Sequence, residues 1–176
     1  MPFAYYRKLS PVQRRIYDES DRIQTLELYR PHLLKGHVDN LRSALELGKR
    51  SSTEKAAQEL SDALTEAFGV EALRVAVKEK RPSWQTGELH GLYEAEGQKY
   101  KISLWMRTAH RAQVVKFRTF LRTLIHELCH HLDYKKFRMR DSYHTEGFYK
   151  RESSLLRQLL PRPVASDTAA NIASAR

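Results

Sequence analysis

Between residues 113 and 132 the apolar side chains Val114, Phe117, Phe120, Leu121, Leu124, Leu128 and Leu132 recur as one helical stripe. Within that stripe stands His126-Glu127-Leu128-Cys129-His130, an H-E-x-x-H pattern. Histidines four apart lie one above the other on a helix, about one turn of ~5.4 Å apart. Both imidazoles can then reach a single zinc at about 2.0–2.1 Å. Glu127 projects toward the same point but is better placed for a water than for an ion. A zinc-bound water has a pKa near 7, and a neighbouring carboxylate can take its proton and pass it to a leaving amine. With 8 His in 176 residues, chance produces this pattern roughly 0.03 times in such a chain. The fold must therefore bury one side of this helix and leave an accessible cavity against the other.

A catalytic zinc normally takes three protein ligands and keeps one position open. The third ligand has to come from beyond the helix, because the position six residues past His130 is Lys136. After a basic connector comes Asp141-Ser142-Tyr143-His144-Thr145-Glu146-Gly147-Phe148, where the next helix should begin. A chain folding back there can bring His144 beneath the first pair. His144 is the preferred third ligand, with Glu146 and Glu152 as its rivals.

The remaining periodicities predict an α+β chain. A polar helical pattern after Ser10-Pro11 runs through Ile16, Ile23, Leu26 and Leu28 until Pro31. A second helix on Leu33, Leu34, Val38, Leu41, Ala44, Leu45 and Leu47 ends at Gly48. Ser51 and Glu54 form a capping-box signature before a third helix, which Gly69 closes. Leu73, Val75 and Val77 alternate as in a half-buried strand. Residues 89–95 and 100–106 read as a hairpin turning at Gly97. A last helix covers residues 145–160, before Pro161 and Pro163. The expected division is a helical extension over 1–70, a catalytic unit over 71–160 and a flexible tail over 161–176.

Charge and cysteine content narrow the function classes. Residues 1–98 carry no net charge, whereas 99–160 hold 14 basic and 5 acidic side chains, a net of +9. That segment is a candidate surface for nucleic acid. Cys129 is the only cysteine, which excludes disulfide scaffolds, zinc ribbons and iron–sulfur clusters. No apolar run is long enough to span a membrane, and the first residues lack the apolar core of a secretory signal. The expectation is a cytoplasmic protein with no membrane partner.

The motif and its sequel, His126-Glu127-Leu128-Cys129-His130 and then His144-Thr145-Glu146-Gly147-Phe148, resemble the SprT-like zinc metallopeptidases. These have H-E-x-x-H, a dozen or more residues, then a histidine with an aromatic four places later. Gly91-Leu92-Tyr93, Ile102-Ser103-Leu104 and Thr123-Leu124-Ile125 extend the likeness, so that it covers about residues 72–160. Thr145 stands where family members commonly have glycine. The resemblance implies a minimal zincin-like domain of a small sheet, an active-site helix and a following helix. It further implies zinc on His126, His130 and His144, Glu127 as general base, and a protein or peptide substrate.

Strand addition along an exposed sheet edge would capture an extended peptide, and residues 100–106, with Lys101 and Trp105 facing away from the apolar side, are the candidate edge. Tyr143, Tyr149, His131 and Arg140 are the candidate donors to a tetrahedral oxyanion. His131 points about 100° from His130 and reads as a surface or supporting residue, while Asp133 and Asp141 are candidates to orient a liganding imidazole. Cys129 suits packing and receives no catalytic role. The alternative function is a basic nucleic-acid-binding or regulatory protein whose zinc site is structural or inactive. Glu127 speaks against it, since a structural site has no use for that carboxylate.

Overall fold

The computed structural model describes residues 3–84 and 87–160. The expected flexible tail over 161–176 lies outside them. The order is a short 3-10 turn Ala4–Lys8, α1 Pro11–Arg22, a 3-10 turn Pro31–Leu34, α2 Lys35–Glu46 and α3 Arg50–Phe68. Then follow β1 Arg74–Lys80, β2 Ser83–Trp84, β3 Gly87–Glu88, β4 Gly91–Glu96, β5 Lys99–Arg107, α4 Phe117–Lys135 and α5 Glu146–Leu159. The chain is an α+β fold, a small sheet among helices, as its periodicities predict. Among the described residues no helix is long and apolar enough to cross a membrane.

The capping box forms at α1. Ser10 Oγ accepts from the Gln13 amide and Gln13 Oε1 accepts from the Ser10 amide, with Pro11 in the first turn. The one expected at Ser51 and Glu54 does not form, because α3 begins earlier, at Arg50. Glu54 has another task, accepting from the Val77 amide at 2.8 Å. The helix expected to reach Pro31 stops at Arg22. Leu26 and Leu28 then lie buried in extended chain, whose backbone bonds to α5 side chains: Gln158 Nε2 donates to Leu26 O, and the Leu28 amide donates to Gln158 Oε1. Two apolar residues spaced by two share a face in an extended chain and lie on opposite sides of a helix, so Leu26 and Leu28 fit the non-helical form better.

The main sheet has the order β1-β5-β4, with β1 parallel and β4 antiparallel to β5. Gly97, at φ 58°, makes the predicted turn between β4 and β5. This order corrects the expected edge. β5 is central, paired on both sides, and the strand that borders the cleft is β4. Pairing of β1 with β5 runs through residues far apart in sequence, so the hairpin pattern could not reveal it. The outer edge of β1 is closed by α3, where Gln58 Oε1 accepts from the Val75 amide and Gln58 Nε2 donates to Leu73 O. Together with the Glu54 contact, this pairs part of the backbone along the β1 edge, whereas among the described residues no further strand pairs with the outer side of β4.

One continuous apolar core joins the helical first 70 residues to the sheet and to α4 and α5. Leu41 and Leu45 of α2, Leu60 and Leu64 of α3, and Ile102 and Leu104 of β5 are buried together with Leu121, Leu124 and Leu128 of α4. The predicted apolar stripe of α4 thus faces inward, which turns His126 and His130 toward the open side of the sheet.

Candidate metal centre

α4 carries His126, Glu127 and His130, and the turn into α5 carries His144. Thr145 starts α5 by accepting the Phe148 amide on its side chain, which sets His144 just outside the first turn. The fold brings the three histidines together, with their nearest ring nitrogens within 4.8 Å of one another. His144 Nε2 stands 3.0 Å from His126 Nε2 and 3.1 Å from His130 Nε2. Phe148, fully buried, packs its ring against all three imidazoles at centroid distances of 4.7–5.2 Å. The aromatic four places after His144 is therefore the floor of the cluster.

The partners of the other ring nitrogens assign the tautomers. His126 Nδ1 lies 3.0 Å from Glu152 Oε2, and a carboxylate oxygen accepts, so His126 carries its proton on Nδ1. His130 Nδ1 lies 2.7 Å from Ser142 Oγ, which donates its own proton to Asp133 Oδ2 at 2.7 Å. Ser142 therefore accepts from His130 Nδ1. In both residues Nε2 is left with a bare lone pair aimed at the shared point. A single proton on His144 Nε2 can serve only one of these lone pairs. The donor set thus fits a small cation better than it fits a hydrogen-bonded cluster, and neutral imidazole is the form that binds metal. Burial pushes the His130 pKa down to about 3, with the neighbouring His126, His144 and Arg151 adding to it. Burial lowers His144 too.

Glu127 is almost fully buried between α4 and the start of β4. Burial raises its carboxyl pKa to about 7, against the pull of His126 and of a hydrogen bond from the Tyr93 backbone. Gly91 permits this closeness, because a Cβ there would come within 2.5 Å of Glu127 Oε1 and 2.6 Å of Thr123 Cγ2. The cleft opens between β4 and the His144 turn, lined by Gly91, Leu92, Tyr93, Tyr134 and the three histidines. It continues past His126 and Glu127 toward His90, Thr119 and Arg122.

The other candidates separate cleanly. Glu152, a rival third ligand, is buried and holds His126 from behind, with Arg122 Nε on its second oxygen at 3.4 Å. Glu146 is exposed and bridges to Lys150. His131 is not on the surface: it is fully buried, its Nε2–H donates to Glu71 O at 2.8 Å, and its Nδ1 accepts from the Tyr93 hydroxyl at 3.0 Å. Asp133 fulfils the orienting role, through Ser142, and is fully buried against Arg151. Asp141 accepts from the Ser142 amide and so shapes the same turn. Of the candidate oxyanion donors, Tyr149 lies beside the cluster, its ring 5.8 Å from that of His144 and 42% exposed. Arg140 is exposed, and Tyr143 packs on Tyr17. Cys129 is buried, its thiol pushed up by desolvation, as suits a packing residue. Ser142 and Arg151 went unforeseen, since a lone serine in a loop and an arginine in a basic run carry no spacing signal.

Residues 34–160 match the WLM domain. No curated protein and no solved structure matches the chain. WLM is a zincin-type domain related to the metallopeptidases, so the likeness carried by the H-E-x-x-H motif holds at that level. With most of its length matched and three histidines placed to hold a metal ion, the chain belongs to the WLM-domain family.

Proposed function

We propose that this chain is a zinc-dependent peptidase, with His126, His130 and His144 as metal ligands and Glu127 as general base. The observation that carries the reading is the convergence of three imidazole Nε2 atoms beside a buried carboxylate, at the open edge of β4. A zinc ion held by these three histidines would supply Lewis-acid polarisation of a peptide carbonyl and would acidify a water beside Glu127.

The chain's own residues do the rest. Glu127 takes the proton of that water on a carboxylate oxygen and delivers it to the leaving amine nitrogen. Its place beside the site is set by the Tyr93 amide, by Gly91 and by its position one residue after His126. Glu152 and the Ser142–Asp133 pair hold two imidazoles in the tautomer that presents Nε2. β4 offers backbone groups to an extended peptide, which fixes the scissile bond against Glu127 without demanding particular side chains.

The test is metal content after exhaustive dialysis, together with cleavage of an unfolded protein labelled for fluorescence. About one zinc per chain and cleavage by the wild type are expected. Glu127→Gln should keep the zinc and lose cleavage. A folded wild type that takes up no zinc when it is supplied would overturn the reading.

A further inference from the structure

Residues 3–28 precede the stretch that matches the WLM domain, yet they grip the turn that carries His144. The Tyr5 hydroxyl donates to His144 O at 2.9 Å, across 139 residues of sequence. Asp21 Oδ1 accepts from the Gly147 amide at 2.9 Å, and Ser20 Oγ lies 3.4 Å from Thr145 Oγ1. The approach is so close that a Cβ on Gly147 would meet the Asp21 carbonyl and come within 2.7 Å of Ser20 O.

A second line of contacts runs to His130. Arg151, fully buried on α5, donates through Nη1 to Ser20 O and Ile23 O, at 2.6 Å each. Its Nη2 donates to Ser20 Oγ at 3.1 Å and to Asp133 Oδ1 at 2.8 Å. Asp133 accepts from Ser142, which accepts from His130.

His126 and His130 are held by a helix, whereas His144 stands in the turn between two helices. A ligand on such a turn must be ordered before it binds, and ordering that is already done raises affinity. We propose that the N-terminal segment 3–28 is a positioning element of the metal centre, acting on His144 through Tyr5, Ser20 and Asp21. The inference rests on the reading of His144 as a zinc ligand.

Zinc affinity, measured on the full chain by competition with a chromophoric chelator, tests it through a double-mutant cycle. Tyr5→Phe together with Asp21→Ala should weaken zinc about 10–100-fold, the range for residues that orient ligands. In a His144→Ala background the same pair should change affinity less than about twofold, since the ligand they act on is gone. Tyr5→Phe alone keeps the ring that packs on Tyr17 and should weaken zinc by about 3–10-fold, the range of one hydrogen bond. It decides the matter if the pair fails to fold. Unchanged affinity, or an equal loss in both backgrounds, would overturn the proposal while leaving the zinc reading intact. A wild type that binds no zinc would remove both.

Discussion

Gly91 faces the Glu127 carboxylate so closely that its missing side chain is part of the site: a Cβ there would come within 2.5 Å of Oε1 and 2.9 Å of Cγ. The edge strand and the helix that carries Glu127 can touch at this point only because no atom intervenes. Gly91→Ala should therefore displace Glu127 while leaving the three imidazoles in place. We expect turnover to fall on the order of a hundredfold, as for small misplacements of a catalytic group. Zinc content should stay at the wild-type value, and the two measured on one preparation check the point.

The partners behind the imidazoles predict metal affinity. Removing the acceptor from His130 with Ser142→Ala, or from His126 with Glu152→Ala, should each raise the zinc Kd about 10–100-fold. Glu146→Ala, at an exposed residue bridged to Lys150, should leave it unchanged. Loss of zinc in Glu146→Ala would overturn the ligand set.

Asp133 and Arg151 form an ion pair with no exposure on either side. Breaking one half strands a buried charge, which costs about 3–5 kcal/mol. Arg151→Met should lower stability by that amount, since it also frees the carbonyls of Ser20 and Ile23. Adding Asp133→Asn should recover part of the loss, because the stranded charge is then removed. Denaturant unfolding of the two variants gives the comparison.

Metal removal should destabilise the fold, because the proposed ligands tie α4, which carries His126 and His130, to the turn before α5, which carries His144. A ligand at a thousandfold excess over its Kd stabilises by about 4 kcal/mol. A chain of this size shifts by about 2–4 °C per kcal/mol, so a chelator should lower Tm on the order of 10 °C. His144→Ala should show a smaller chelator effect than the wild type, and a thermal scan of each with and without chelator reads it.

The hydrogen bonds of the buried His131 give a prediction independent of metal. His131→Phe removes the partners of the Tyr93 hydroxyl and the Glu71 carbonyl at once. Loss of these two part-buried hydrogen bonds should cost about 0.5–1.5 kcal/mol each in chemical unfolding.

What the sequence determined by itself is whatever depends on short separations. Helical spacing puts His126 and His130 on one face with Glu127 beside them, and the apolar stripe turns that face away from the core. The return to helical pattern after the connector sets His144 at the start of α5, with Phe148 one turn on. The alternation around Gly97 specifies the hairpin. Tertiary structure alone decided which strand is the edge, because the parallel pairing of β1 with β5 joins segments whose patterns are silent about each other. It also decided that Ser142, Asp133 and Arg151 form one hydrogen-bonded line to His130, and that Tyr5 reaches His144. Periodicity reports which face of an element is buried. It carries no record of which polar groups meet across the chain, since such pairs repeat at no period and exist only once the core has brought their elements together.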